Sequence, residues 1–144
     1  MFHIHIICQG KLKEPFYKDA MAEYQKRLTP FCKLKITELA EICPPQEMLA
    51  QIPRNAAVIA MCVEGKLKSS TELAEFFEKI PHEGKSELVF LIGGSDGLDE
   101  SVKARAALRL SMSPMTFPHH LARVMVAEQI YRAFQINLGS KYHK

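Results

Sequence analysis

Phe2, Ile4 and Ile6 alternate with His3 and His5 before Ile7 and Cys8 close the run, a pattern that predicts a strand buried first on one face and then on both. It stops at Gly10. From Glu14 to Leu28 the spacing becomes helical, with Tyr17, Met21, Tyr24 and Leu28 on one face and Pro15 in the first turn, where a missing N–H costs nothing. Leu34 and Ile36, alternating with Lys33, Lys35 and Thr37, predict a half-buried second strand. Pro44 and Pro45 then break the chain ahead of a short helix around Glu47 to Gln51.

Ala57 to Val63 is a continuous apolar run of the kind a central parallel strand shows, followed by Glu64-Gly65-Lys66 at its C-terminal end. Ser69, Ser70 or Thr71 caps the next helix, whose stripe of Leu73, Phe76, Phe77 and Ile80 belongs in a core. Leu88 to Ile92 supplies another buried strand, the glycine-rich stretch Gly93 to Gly97 a turn, and Leu98 the approximate start of a further helix. Leu108, Leu110 and Met112, alternating with Arg109, Ser111 and Ser113, predict the last strand. Strands alternating with helices in this way predict one α/β domain over residues 1–144, built on a parallel or mixed sheet.

The chain is organised around residues 110–135, where a strand, a loop between Pro114 and Pro118, and a long helix follow without a gap. On that helix Leu121, Met125, Glu128, Arg132, Gln135 and Ile136 share one face, and Val124, Ala127, Tyr131, Phe134 and Leu138 share a neighbouring one. The second face reads as ordinary core. On the first, Glu128 and Arg132 at i, i+4 need be no more than a surface ion pair worth a few tenths of a kcal/mol, but Leu121, Met125 and Ile136 would leave an apolar patch in water if that face were exposed. Burial in a symmetric dimer accounts for that face.

Composition narrows the picture. At 144 residues the chain has room for one domain and none for a separate recognition module. With 47% hydrophobic and 24% charged residues it is globular, and a net charge of +3 is compatible with nucleic acid without distinguishing it from a slightly basic surface. Cys8, Cys32, Cys43 and Cys62 never approach C-x-x-C spacing, which argues against a zinc site and fits a reducing cytosol. Met1 to Cys8 lacks the form of a signal peptide, and no run reaches membrane-spanning length, so a cytoplasmic protein is expected.

Three strand ends, after Val63, Ile92 and Met112, are expected to converge in one crevice able to hold an adenosine-sized ligand, with Met61, Met112, Met115 and Phe117 as apolar walls. The glycine turn between them matches neither a dinucleotide fingerprint nor a Walker loop, so it names no nucleotide. Gly139 to Lys144 reads either as a frayed end or as a functional segment, since it gathers a hydroxyl, an imidazole and two cations beside the organising helix.

The run Met-Thr-Phe-Pro-His-His-Leu-Ala-Arg-Val-Met-Val-Ala-Glu-Gln-Ile-Tyr-Arg-Ala (115–133), Leu-Ile-Gly-Gly-x-x-Gly-Leu (91–98) and Tyr142-His143-Lys144 together resemble the RlmH family of large-subunit rRNA methyltransferases. Gly-Lys-Leu-Lys-Glu (10–14) and Glu-Tyr-x-Lys-Arg-Leu (23–28) are similar to it as well, so the likeness runs along nearly the whole chain. It implies a SPOUT fold, a parallel sheet whose C-terminal part threads a trefoil knot, and a homodimer that binds S-adenosylmethionine and no metal. It also implies methyl transfer to N3 of a pseudouridine of 23S rRNA in the assembled ribosome. The implied cofactor positions fall on Met61, Gly93, Met112, Ser113, Pro114, Met115, Thr116 and Phe117. The chain departs from the family in having Met61-Cys62 where relatives carry Leu-Asp or Leu-Glu, and in its shorter 44–54 segment, a change that bears on RNA docking.

For that reaction His143, or water held by it, is expected to accept the imide proton, Arg132 to stabilise charge on a uracil oxygen and Tyr142 to position the base, with His119 a further catalytic candidate. Lys11, Lys13, Lys66 and Lys144 are the expected phosphate contacts. The alternatives are a non-catalytic ribosome-binding factor of the same fold and a methyltransferase acting on another RNA.

Overall fold

The computed structural model describes residues 2–144. Among these residues five strands and five helices alternate: β1 (Phe2–Gln9), α1 (Pro15–Leu28), β2 (Cys32–Leu39), α2 (Pro45–Ala50), β3 (Ala56–Leu67), α3 (Ser70–His82), β4 (Glu87–Ile92), α4 (Glu100–Lys103), β5 (Leu108–Ser111) and α5 (His119–Leu138). All pair in parallel in one sheet of order β2-β1-β4-β3-β5. The expected α/β fold with a parallel sheet is thus present. Its site-forming consequence is that β4, β3 and β5 are neighbours, so their C-terminal ends open side by side.

The two-residue period of the strands splits the interior into two layers. Ile4, Ile6, Cys8, Ala57, Ile59, Leu88, Phe90 and Ile92 face α1, α3 and α5. Ile7, Val58, Ala60, Val89 and Leu91 face the other way, toward Met48 of α2 and Val102 of α4. Burying a side chain of this size contributes about 1.5–3 kcal/mol, and the three central strands are covered on both sides. Ser69 caps α3 in a capping box, its hydroxyl accepting from the Glu72 N–H at 3.1 Å while the Ser69 N–H donates to Glu72 Oε1 at 2.8 Å.

Several sequence expectations are corrected. His5, placed by alternation on a wet face, is buried, with Nε2 2.7 Å from Thr37 Oγ1. Burial, then the charge of Lys35, holds its pKa below the ordinary imidazole value. The fourth helix begins at Glu100 behind an Asp99 cap rather than at Leu98. The α5 core face is also different: Arg123, Val126, Ala127, Ile130 and Ala133 are buried, whereas Val124 is half-buried and Leu138 is 65% exposed. Because α5 packs against both α1 and α3, its inward line falls beyond the second stripe, on the side of the helix away from Leu121 and Met125, and Tyr131 and Phe134 flank it against Phe31.

Candidate functional site

β3 is paired to β4 as far as Ala60 and to β5 as far as Met61, then bulges over residues 62–65 and rejoins β5 at Lys66 and Leu67. At the crossing Gly65 lies so close to β5 that a Cβ would sit 2.8 Å from the Arg109 carbonyl. Only glycine allows that approach. The turn after β4 is folded on itself, with the Gly97 N–H donating to the Gly94 carbonyl at 3.0 Å and Gly97 at φ 77°. A Cβ on Gly93 would come within 2.5 Å of the Gly97 carbonyl carbon, so this glycine is demanded by its own turn. The Gly94 N–H donates to Gln9 Oε1 at 3.3 Å, and Gln9 Nε2 donates to the Glu41 carbonyl at 3.2 Å, tying the turn to β1 and to the loop after β2.

The loop after β5 is held by its serines. Ser111 Oγ donates to the Ser113 carbonyl at 2.9 Å, and Ser113 Oγ accepts from the Met115 N–H at 3.0 Å. With these serine oxygens engaged in the loop itself, it offers a ligand its backbone groups, its methionine side chains and Thr116. Pro118 precedes the first turn of α5, whose Ala122 N–H donates to the Pro118 carbonyl at 2.9 Å.

These strand ends enclose a cavity of about 340 Å³, within the range of small-molecule sites. Met61, Gly93, Met112, Ser113, Met115, Thr116 and Phe117 line it, as does His119; Pro114 does not. Ile92, Leu98 and Leu110 complete the apolar wall, and Lys103 stands at its edge, bonded to Glu64. The Lys103 ammonium holds the Glu64 carboxyl below its ordinary range, and Glu64 raises the pKa of Lys103 in turn. Cys62 also lines the cavity, its thiol pKa raised chiefly by burial and next by Glu64.

The other nominated residues gather elsewhere. Arg132 donates from Nε to Glu128 Oε1 at 3.1 Å and from Nη2 to Oε2 at 2.8 Å, and its Nη1 lies 3.1 Å from His143 Nδ1. Tyr142 donates to the same Glu128 Oε2 at 2.8 Å, while its ring lies 4.9 Å below the Arg132 guanidinium and edge-on to Tyr131. Burial, and then the bond to Glu128, pushes the Tyr142 pKa up to about 12. The Glu128/Arg132 pair is the half-buried hub of this cluster, with side chains 18% and 25% exposed. Nor is the segment after α5 frayed: Gly139, at φ 71°, turns the chain, and the Ser140 N–H returns to the Gln135 carbonyl at 3.1 Å.

Within one chain the two groups are well separated. Arg132 follows His119 by thirteen helical residues, a rise of about 20 Å. Glu128 and Gln9 are the site residues that sequence reasoning passed over. Glu128 carried a signal in its spacing from Arg132, whereas nothing local marks Gln9.

Among the described residues, no helix is long and apolar enough to cross a membrane. Residues 2–143 match a family model described as predicted SPOUT methyltransferase. The chain is 46% identical to the ribosomal RNA large subunit methyltransferase H of Clostridium novyi (strain NT) and 44% identical to that of Bacillus pumilus (strain SAFR-032), covering 99% of both partners in each case. In three dimensions it is similar to a probable methylase family protein from Haemophilus influenzae Rd KW20, with a TM-score of 0.60 at 12% identity over 98% of this chain and 70% of that one. That last likeness concerns the fold alone. The chain belongs to the SPOUT methyltransferase family, alongside the relatives named ribosomal RNA large subunit methyltransferase H.

Proposed function

We propose that this methyltransferase binds S-adenosylmethionine in the 340 Å³ cavity and methylates large-subunit ribosomal RNA, at N3 of a pseudouridine in the assembled ribosome. The observation that carries the reading is the coincidence of cofactor positions with one cavity: three adjacent strand ends, a self-folded glycine turn and a serine-braced methionine loop meet there. The relatives' name supplies the RNA class. Met61, Ile92, Leu98, Leu110 and Met112 suit the apolar faces of an adenosine, and the turn and loop backbone suits its polar edges. The cofactor supplies an activated methyl group. The chain's own task is to orient the acceptor and remove one proton.

That task falls to the cluster on Glu128. Arg132, fixed by two bonds to Glu128, presents a cation to a uracil oxygen; Tyr142 bears on the base; His143, beside the guanidinium, is the proton acceptor. His119, on the cavity wall, remains a second candidate. Because the cluster and the cavity of one chain lie about 20 Å apart along α5, we place the complete site between two subunits of a homodimer, the segment after α5 of one meeting the cavity of the other. The half-buried Leu121 and Met125 provide the apolar face for that pairing, next to Ile136, which packs in part against the core of its own chain. Lys11, Lys13, Lys66 and Lys144 are exposed and available to phosphates. Residence in the cytoplasm follows from a ribosomal substrate.

The test is methyl transfer from labelled S-adenosylmethionine to ribosomes lacking the modification, with mass spectrometry of the rRNA to locate the group, alongside calorimetry of cofactor binding. A single new methyl on a 23S pseudouridine is expected. Cofactor binding without transfer to any rRNA would sink the substrate assignment, and absence of binding would sink the enzyme reading of the cavity.

A further inference from the structure

His119 and His120 stand edge to face at the start of α5, their ring centroids 4.2 Å apart. His120 Nδ1 lies 3.1 Å from Glu14 Oε1. A carboxylate oxygen accepts, so the ring nitrogen facing Glu14 is the donor. The proton of a neutral His120 is therefore on Nδ1, and the Nε2 lone pair points away from Glu14. That Nε2 is out of contact with solvent and has no hydrogen-bond partner. Nε2 of His119 is also out of contact with solvent and makes no hydrogen bond, though it lies 3.3 Å from Glu41 Oε1, close enough for an ion pair when the ring is protonated. Two adjacent buried imidazole nitrogens without a hydrogen bond, one of them beside a carboxylate, call for an explanation.

Glu41 supplies one. Its carboxylate is seated in a notch between two glycines, where a Cβ on Gly94 would stand 2.9 Å from Oε1 and one on Gly10 would collide with Oε2. Gln9 fixes the Glu41 backbone by donating to its carbonyl. A ligand atom from each of Glu41, His119 and His120 lies within 4.8 Å of the others. Tetrahedral ligands at about 2.0–2.1 Å from a metal stand about 3.3 Å from one another, so modest side-chain rotations would close the set.

We propose that His119 Nε2, His120 Nε2 and the Glu41 carboxylate form a three-point site for a divalent transition metal of the zinc, cobalt or nickel class. Two imidazoles and one carboxylate match those ions better than magnesium or calcium, which prefer all-oxygen shells. Glu14 is the outer carboxylate that orients a metal-binding histidine through its second nitrogen. The fourth position faces a separate cavity of about 760 Å³ lined by Lys11, Lys13, Glu14 and Tyr17, open to water or an anionic oxygen. His119 borders both this cavity and the cofactor cavity. The proposal does not depend on the methyl-transfer reading.

The test uses the full chain, stripped with chelator and titrated with zinc by calorimetry and with cobalt by visible absorption. One equivalent per chain is expected, with cobalt bands of nitrogen and oxygen ligation. Glu41→Gln and His120→Gln, each verified as folded by circular dichroism, should weaken binding by at least about 10-fold, and Glu14→Gln by about 10-fold through loss of orientation. Three outcomes would overturn the proposal: no saturable binding up to millimolar metal, a thiolate-to-cobalt charge-transfer band that assigns the ion to cysteine, or unchanged affinity in both ligand variants.

Discussion

Tyr142 donates its phenolic hydrogen to Oε2 of Glu128, fourteen positions earlier in the chain, at 2.8 Å, and thereby docks the segment after α5 onto the helix it leaves. The neutral phenol is the form this contact needs. Its pKa lies near 12 in the fold against 10 for an ordinary tyrosine. A raised folded pKa gives stability that is complete below pH 10 and is lost as pH rises toward 12. Ultraviolet titration of phenolate should show one tyrosine ionising about two units late, and Tyr142→Phe should remove that step.

Arg123 should matter more to stability than any other charged residue. It is 1% exposed and donates to Glu38 Oε2 at 2.6 Å and to the Gln9 and Gly10 carbonyls at 3.3 and 2.9 Å. It thus clamps the start of α5 to the end of β1. Arg123→Met should cost about 3 kcal/mol in urea unfolding, the low end for a broken buried pair because Glu38 keeps 33% of its side-chain exposure.

Gly93 and Gly84 separate crowding from backbone strain. Gly84, at φ 77° with nothing near its missing Cβ, should lose about 1 kcal/mol of stability as Ala and keep its cofactor affinity. Gly93→Ala must push the Gly97 backbone aside. A turn displaced at a cost of about 1.4 kcal/mol in binding weakens S-adenosylmethionine tenfold, readable by calorimetry.

Cys62 reports occupancy of the cavity. Cys8 and Cys32 are buried, their thiols pushed up to about 11 by burial, so a thiol reagent should reach Cys43 and Cys62 first. S-adenosylmethionine should slow modification of Cys62 and leave Cys43 unchanged, as read by peptide mass spectrometry. Equal rates at Cys62 with and without cofactor would place the ligand elsewhere.

A site shared between subunits predicts complementation. Arg132→Ala disables the Glu128 cluster and the bulkier Gly93→Phe blocks the cavity, and each homodimer, verified as folded, should be inactive. Random mixing makes half of the dimers heterologous, each with one intact site, so about a quarter of the native activity should return. No recovery after verified subunit exchange would put the whole site within one chain.

Periodicity and turn chemistry alone determined the alternation of strands and helices, the short loops and the buried runs of β3 and β4, because each is written into a few neighbouring residues. The likeness in residues 91–98 and 115–133 named the family, and most positions it implied do line one cavity. Tertiary structure decided the rest. Which face of α5 turns inward depends on α1 and α3 together, and no helical wheel contains them. His5 is buried because Thr37, 32 residues away, pairs beside it on β2. The roles of Glu128, Gln9 and Glu41 arise from partners that only the fold brings within reach: a phenol from beyond the helix, the amide of a glycine turn, and two imidazoles across a cleft. A polar group's chemistry is set by what replaces its water, and that is decided by the assembled structure.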